Sequence, residues 1–127
     1  MADKKKILVV DDELDIRTYL STLFEDNGYA TVLAQDGEDA RRQVEANPPD
    51  LITLDISMPE KSGVKFYREI KEDERWKKIP VIIVTGVSGD FQKFISTRHQ
   101  VPPPEGFISK PIDREEILGM VKRLTGG

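Results

Sequence analysis

Short apolar runs and amphipathic segments alternate five times along this chain, and few folds accept that order. Ile7-Leu8-Val9-Val10 is short, branched and continuous, the pattern of a strand buried on both faces. Ile16, Tyr19, Leu20, Leu23 and Phe24 follow at helical spacing and predict one apolar face, with Asn27-Gly28 as the stop. A weaker strand spans Ala30 to Ala34. Asp36-Gly37-Glu38-Asp39 then opens a helix with acid in its first turn, Ala40 and Val44 pointing inward and Pro48-Pro49 ending it. Leu51-Ile52-Thr53-Leu54 predicts a third strand, and Ser62 a cap for a helix carrying Val64, Phe66, Tyr67 and Ile70. Val81-Ile82-Ile83-Val84 is the most hydrophobic run. A helix with Phe91, Phe94 and Ile95 and a proline-rich loop from His99 to Glu105 are expected after it. Gly106 to Ser109 predicts a fifth strand. Asp113 and Glu116 resemble a capping box, and Ile117, Met120, Val121 and Leu124 form the face of a last helix stopped by Gly126.

Strand, helix, repeated five times, predicts a parallel sheet with helices on both faces. The first, third and fourth strands are continuously apolar and belong in the middle. The second and fifth belong at the edges. A flavodoxin-like α/β three-layer sandwich with strand order 2-1-3-4-5 meets both requirements. The length of 127 residues fits one domain, with its core over 6–124. A net charge of −4 disfavours nucleic acid as a partner. The absence of cysteine excludes disulfides, thiol catalysis and thiolate zinc. No signal peptide and no apolar run of membrane-spanning length is visible, so a cytoplasmic protein without a membrane contact is expected. Lys4, Lys5 and Lys6 read as a solvated lead-in to the first strand.

In such a sheet, ligands bind beyond the carboxyl ends of the strands, where the strand order reverses. The first strand ends in Asp11-Asp12, the third in Asp55, the fourth in Thr85 and the fifth in Lys110-Pro111. Each residue has an ordinary explanation: Asp12 as a helix cap, Asp55 as a turn residue, Thr85 as a strand residue, Lys110 as a solvated charge. Four strand ends agreeing by chance is the weaker account. Three carboxylates in one crevice repel one another unless a hard cation sits among them, and few oxygen ligands from one side suit Mg²⁺. A metal, a cation and a hydroxyl around one carboxylate are what phosphoryl transfer to that carboxylate requires.

The motifs resemble the receiver domains of two-component response regulators over nearly the whole chain. They are Ile7-Leu8-Val9-Val10-Asp11-Asp12-Glu13, Asp50 to Pro59, Val84-Thr85-Gly86 and Ser109-Lys110-Pro111. The resemblance implies Asp55 as phosphoacceptor. It implies Asp11, Asp12, Asp55 and the backbone carbonyl of Ser57 as Mg²⁺ ligands, with Lys110 pairing first with the acceptor and then with phosphoryl oxygens. Thr85 takes the part of the switch hydroxyl and Phe107 that of the switch aromatic. Pro111 stands where the family has a cis peptide, and Gly63 where a glycine opens the third helix. The implied phosphoryl source is a histidine kinase or a histidine phosphotransfer protein. The output is a conformational change read by a downstream protein, on a monomer or a weak phosphorylation-dependent dimer, without enzymatic activity beyond assisting its own phosphorylation and dephosphorylation. A receiver cut from a longer regulator and a degenerate receiver that binds without phosphorylation are the alternatives.

Two features depart from the family's usual pattern. The span from Thr85 to Lys110 is long and contains Pro102-Pro103-Pro104, which leaves the output face the least transferable part. Ser57 and Val87 offer no water-orienting acid or amide, which predicts a moderately long-lived phosphoform, and an unchanged hydrolysis rate in Val87→Glu would refute that. An aspartate-nucleophile phosphatase would want a second Asp where Ser57 stands. A flavodoxin-like cofactor module would want a Ser-, Thr- or Gly-rich loop where Asp11-Asp12-Glu13 stands. His99, Trp76 and Tyr19 are assigned no chemistry. Trp76 is expected to cover apolar surface and Tyr19 to join the core face of the first helix.

Overall fold

Branched apolar runs too short for helices have resolved into strands. The computed structural model describes residues 4–56, 62–86 and 104–126. In chain order the elements are β1 (Lys6–Val10), α1 (Leu14–Asp26), β2 (Ala30–Ala34), α2 (Gly37–Ala46), β3 (Leu51–Asp55), α3 (Ser62–Glu72), β4 (Val81–Thr85), β5 (Gly106–Ser109) and α4 (Arg114–Thr125). All neighbouring strands run parallel in the order β2-β1-β3-β4-β5, as the apolar grading of the strands predicts. The expected helix with Phe91, Phe94 and Ile95, His99, and the loop as far as Pro103 lie outside the described residues. Pro104 and Glu105 lead directly into β5.

The period of two along each strand sends alternate side chains to opposite faces. Leu8, Val10, Ile52, Leu54, Val81 and Ile83 pack with Ala40, Val44, Phe66, Tyr67, Ile70 and Trp76 on the α2/α3 side. Ile7, Val9, Leu51, Ile82, Val84 and Ile108 pack with Leu20, Leu23, Phe24, Ile117 and Val121 on the α1/α4 side. Trp76 covers apolar surface as expected, with the Arg75 guanidinium 4.1 Å above its ring. Tyr19 does not join the core and is 43% exposed. Ile16, Leu20 and Phe24 repeat every four residues and set the buried stripe, and Tyr19, one residue before Leu20, is turned by a helical step to its rim.

The helix ends follow local chemistry. Asp36 caps α2 by accepting from the Asp39 N–H at 2.8 Å, and Asp113 caps α4 by accepting from the Glu116 N–H at 3.0 Å. Gly28 and Gly126 take the positive φ that ends α1 and α4. The N-cap of α1 is Glu13, and no side chain caps it, so the ordinary explanation of Asp12 as a helix cap does not hold. α3 begins at Ser62 itself, and the Ser62 side chain lies outside the described residues.

Opposite the carboxyl edge of the sheet, a buried lysine ties three elements together. Lys71, in the last turn of α3, donates to both Glu105 carboxylate oxygens at 2.9 and 3.0 Å and to the carbonyls of Ile79 and Lys77 at 3.2 and 3.4 Å. Glu105 also accepts the Val81 N–H at 2.8 Å. The starts of β4 and β5 are thereby pinned to α3.

Candidate functional site

The strand ends meet as the topology requires. Asp55, the last residue of β3, lies in register with Val84, and Thr85 lies in register with Ser109. The Lys110 N–H donates to the Thr85 carbonyl at 2.8 Å, which carries the ladder one step past β5 and delivers the Lys110 side chain to the crevice. The Lys110–Pro111 peptide is cis. Asp11, Asp55 and Thr85 are buried, with 2, 2 and 3% exposure, while Asp12 is exposed.

One carboxylate oxygen each from Asp11, Asp12 and Asp55 falls within a span of 4.8 Å. The Lys110 ammonium lies 3.3 Å from Asp11, 3.5 Å from Asp55 and 3.6 Å from Glu13. Burial pushes the Asp11 carboxyl up, the Glu13 N–H draws it down, the like charge of Asp55 adds to the rise, and the balance lies above its ordinary value. For Lys110, burial acts to lower, but the charges of Asp55 and Asp11 outweigh it and the ammonium is held above its usual range. Burial is the larger cause for Asp11, and the carboxylates around Lys110 favour its charged form. Three hard oxygen donors in that span are a donor set that fits Mg²⁺.

Asp11 is fixed from every side. Its N–H donates to the Ala34 carbonyl at 3.1 Å, its carbonyl accepts from Arg17 at 2.6 Å, and its carboxylate accepts the Glu13 N–H at 2.9 Å. Two of these partners were not assigned a part from sequence. Arg17 sits four residues past Glu13, one turn along the same helix face, and that spacing was the available signal. Glu13 stood inside the motif, but nothing local showed it reaching Lys110.

Thr85, the last residue of β4, lies in register with Ser109 of β5. Phe107 is half-buried against the α2/α3 core and lies in register with Ile83. Gly63 opens α3 directly against the site. A Cβ there would fall inside contact distance of the Asp55 carbonyl and 3.0 Å from the Ile56 Cα. Ser57 and Val87 lie outside the described residues, so the carbonyl ligand and the hydrolysis-tuning position stay expectations. Among the described residues no helix is long and apolar enough to cross a membrane.

Comparison with known proteins agrees with this geometry. Residues 7–122 match the model of the response regulator receiver domain family. The chain is 37% identical over 119 residues to the CAI-1 autoinducer sensor kinase/phosphatase CqsS of Vibrio cholerae, covering 93% of this chain but 17% of that protein. It is 34% identical over 118 residues to the protein Rrf1 of Nitratidesulfovibrio vulgaris, covering 93% of this chain and 80% of Rrf1. Among solved structures it resembles the receiver domain of the sensor histidine kinase PA1611 of Pseudomonas aeruginosa, which has a magnesium ion coordinated in its active site cleft. The TM-score is 0.85 at 26% identity, over 98% of this chain and 100% of that one.

Proposed function

The chain belongs to the response regulator receiver domain family, and from that premise we propose that it is a phosphorylation switch whose acceptor is the Asp55 carboxylate. The observation that carries this reading is the cluster of Asp11, Asp12 and Asp55 within 4.8 Å, faced by a lysine 3.5 Å from Asp55. An isolated acidic cluster would spread apart; this one is held together by Lys110 and by the hydrogen bonds around Asp11.

In the proposed reaction an Asp55 oxygen bonds to the phosphorus of a phosphohistidine on a kinase or phosphotransfer protein. The P–N bond breaks, and the imidazole nitrogen leaves with its electron pair. Lys110 shifts from the unphosphorylated carboxylate to the phosphoryl oxygens. Asp11, Asp12 and Asp55, with the Ser57 carbonyl, would hold Mg²⁺, which when bound neutralises charge on those oxygens. The Thr85 hydroxyl is drawn toward the new charge, and Phe107 follows inward beside Ile83. The surface of β5 and α4 changes with them, a population shift toward the state that binds the phosphoryl group better. The reader of that surface is a downstream protein rather than nucleic acid, consistent with the net charge of −4.

Intact-mass measurement after incubation with acetyl phosphate tests this. A gain of one phosphoryl group in wild type with Mg²⁺, absent with EDTA and in Asp55→Asn, is expected. A folded wild type that gains nothing with Mg²⁺ refutes the acceptor role and leaves a phosphorylation-independent binding module.

A further inference from the structure

Lys110 divides its charge among three carboxylates at nearly equal distance: Asp11 at 3.3 Å, Asp55 at 3.5 Å and Glu13 at 3.6 Å. The first two are buried and belong to the proposed metal and acceptor set. Glu13 is different, because its side chain is 63% exposed at the mouth of the crevice. Its backbone already serves the loop by donating to Asp11 at 2.9 Å, so the position of its main chain does not depend on its side chain. Its φ of −96° and ψ of 121° are extended values that any residue adopts.

Asp11, Asp12, Asp55 and Glu13 stand against Lys110 and the Arg17 guanidinium, which lies 2.6 Å from the Asp11 carbonyl, and leave the crevice with an excess of two negative charges. A divalent cation would bring that sum to balance, so removing the Glu13 charge leaves the mouth one unit positive. Every phosphoryl donor is an anion and approaches Asp55 within the field of this carboxylate. A dianionic acyl phosphate meets twice the repulsion of a donor with one net negative charge, such as a phosphoramidate whose nitrogen carries a proton.

We infer that Glu13 is a donor-specificity residue, whose exposed carboxylate favours P–N donors of low net charge over acyl phosphates. The inference rests on the reading of Asp55 as phosphoacceptor. In both reactions an Asp55 oxygen forms the new bond to phosphorus. With acetyl phosphate the P–O bond to the acyl group breaks and acetate leaves as an anion carrying the electron pair. With phosphoramidate the P–N bond breaks and the protonated nitrogen leaves as neutral ammonia. Glu13 opposes both the greater charge of the acyl donor and the anion it releases.

The test compares initial phosphorylation rates, read by intact mass, for wild type, Glu13→Gln and Glu13→Lys with acetyl phosphate and with phosphoramidate. Each variant is held at saturating Mg²⁺, set by a thermal-shift titration of that variant. Taking the ratio of the two donors cancels any change in how freely Lys110 moves, because Lys110 serves both. One unit of charge at roughly 7 Å through water alters a rate by about threefold. Glu13→Gln is therefore expected to raise the acetyl phosphate to phosphoramidate ratio about threefold, and Glu13→Lys about sevenfold by the same Coulomb relation. Both gains should shrink at about 1 M salt, where the screening length is near 3 Å. A ratio unchanged in both variants, or a change that ignores salt, overturns the inference while leaving the acceptor reading intact. A wild type that takes phosphoryl from neither donor overturns both.

Discussion

The Lys71–Glu105 pair yields the sharpest energetic prediction, because its two halves differ in exposure. The Lys71 side chain is 1% exposed and that of Glu105 34%. Glu105→Gln keeps an acceptor for the Val81 N–H but leaves the ammonium with amide and carbonyl oxygens, the nearer carbonyl at 3.2 Å, and the Tyr67 ring 5.9 Å away. Breaking a fully buried pair costs roughly 3–5 kcal/mol and an exposed one less than about 1 kcal/mol. One partially exposed partner places this pair between them, at about 2 kcal/mol. Lys71→Met removes the charge and keeps the length, and the freed Glu105 carboxylate can turn to water, so that loss should stay near 1 kcal/mol. The double variant should resemble Lys71→Met alone, because once the ammonium is gone the carboxylate has no special task. Urea denaturation followed by circular dichroism and by the fluorescence of buried Trp76 gives all four free energies. For a domain of this size 2 kcal/mol corresponds to a melting shift of roughly 6–8 °C. Additive losses, or a Lys71→Met variant less stable than Glu105→Gln, would refute the reasoning. The pair sits at the starts of β4 and β5, so phosphorylation of folded variants should proceed as in wild type.

Three further outcomes follow from the same packing. Gly63→Ala should cost more than Gly106→Ala: the first Cβ meets the backbone of Asp55 and Ile56, while the second meets the flexible end of Met120, which can move aside. The Gly63 variant should also lose phosphorylation rate, because its relief displaces the main chain of Asp55, the proposed acceptor; equal melting losses in the two would contradict this. Thr53 lies 1% exposed within β3, and its hydroxyl is without a hydrogen-bond partner among the described residues. Thr53→Val should therefore gain about 1 kcal/mol in urea titration, and a loss would show that the hydroxyl is satisfied in solution. Because the Asp11 carboxyl is raised, its ionisation opposes folding without metal. That loss sets in as pH climbs from the ordinary value of 3.8 through the raised one, and it persists above. Asp11→Asn should thus melt above wild type at neutral pH in EDTA, with the difference closing toward pH 4 and reversing with excess Mg²⁺. A variant less stable in EDTA at neutral pH would contradict the sign.

The sheet and most of the site were legible because both are written in local signals. A branched run of four apolar residues buries on two faces wherever it occurs, and the run that ends in a carboxylate delivers it to the edge shared with its parallel neighbours. Asp11, Asp55, Thr85 and Lys110 are therefore found together without any knowledge of side-chain contacts. The misreadings have a common physical cause. Tyr19 fits the helical period to within one residue, but the period tolerates one step either way and only packing decides which side of the stripe is covered. Lys71 is invisible to any local rule. A lysine in the last turn of a helix reads as a solvated charge favoured by the helix dipole, and its burial depends on Glu105, 34 residues away in sequence.

Glu13 belongs with these, and it shows why chemistry that tunes a site is harder to read than chemistry that builds it. The residues that build a site must sit at fixed strand ends, and a one-residue displacement would turn them to the other face. A residue that tunes the site through its field needs only to lie within several ångströms and to remain exposed, so many positions and several residue types serve. Glu13 meets both conditions because the first turn after β1 returns its side chain to Lys110, at 3.6 Å, while its backbone is occupied with Asp11. The substitution that distinguishes the two kinds of residue is the same in each case. Neutralising a building residue such as Asp55 should abolish transfer from every donor, whereas neutralising a tuning residue such as Glu13 should leave transfer in place and shift the ratio between donors.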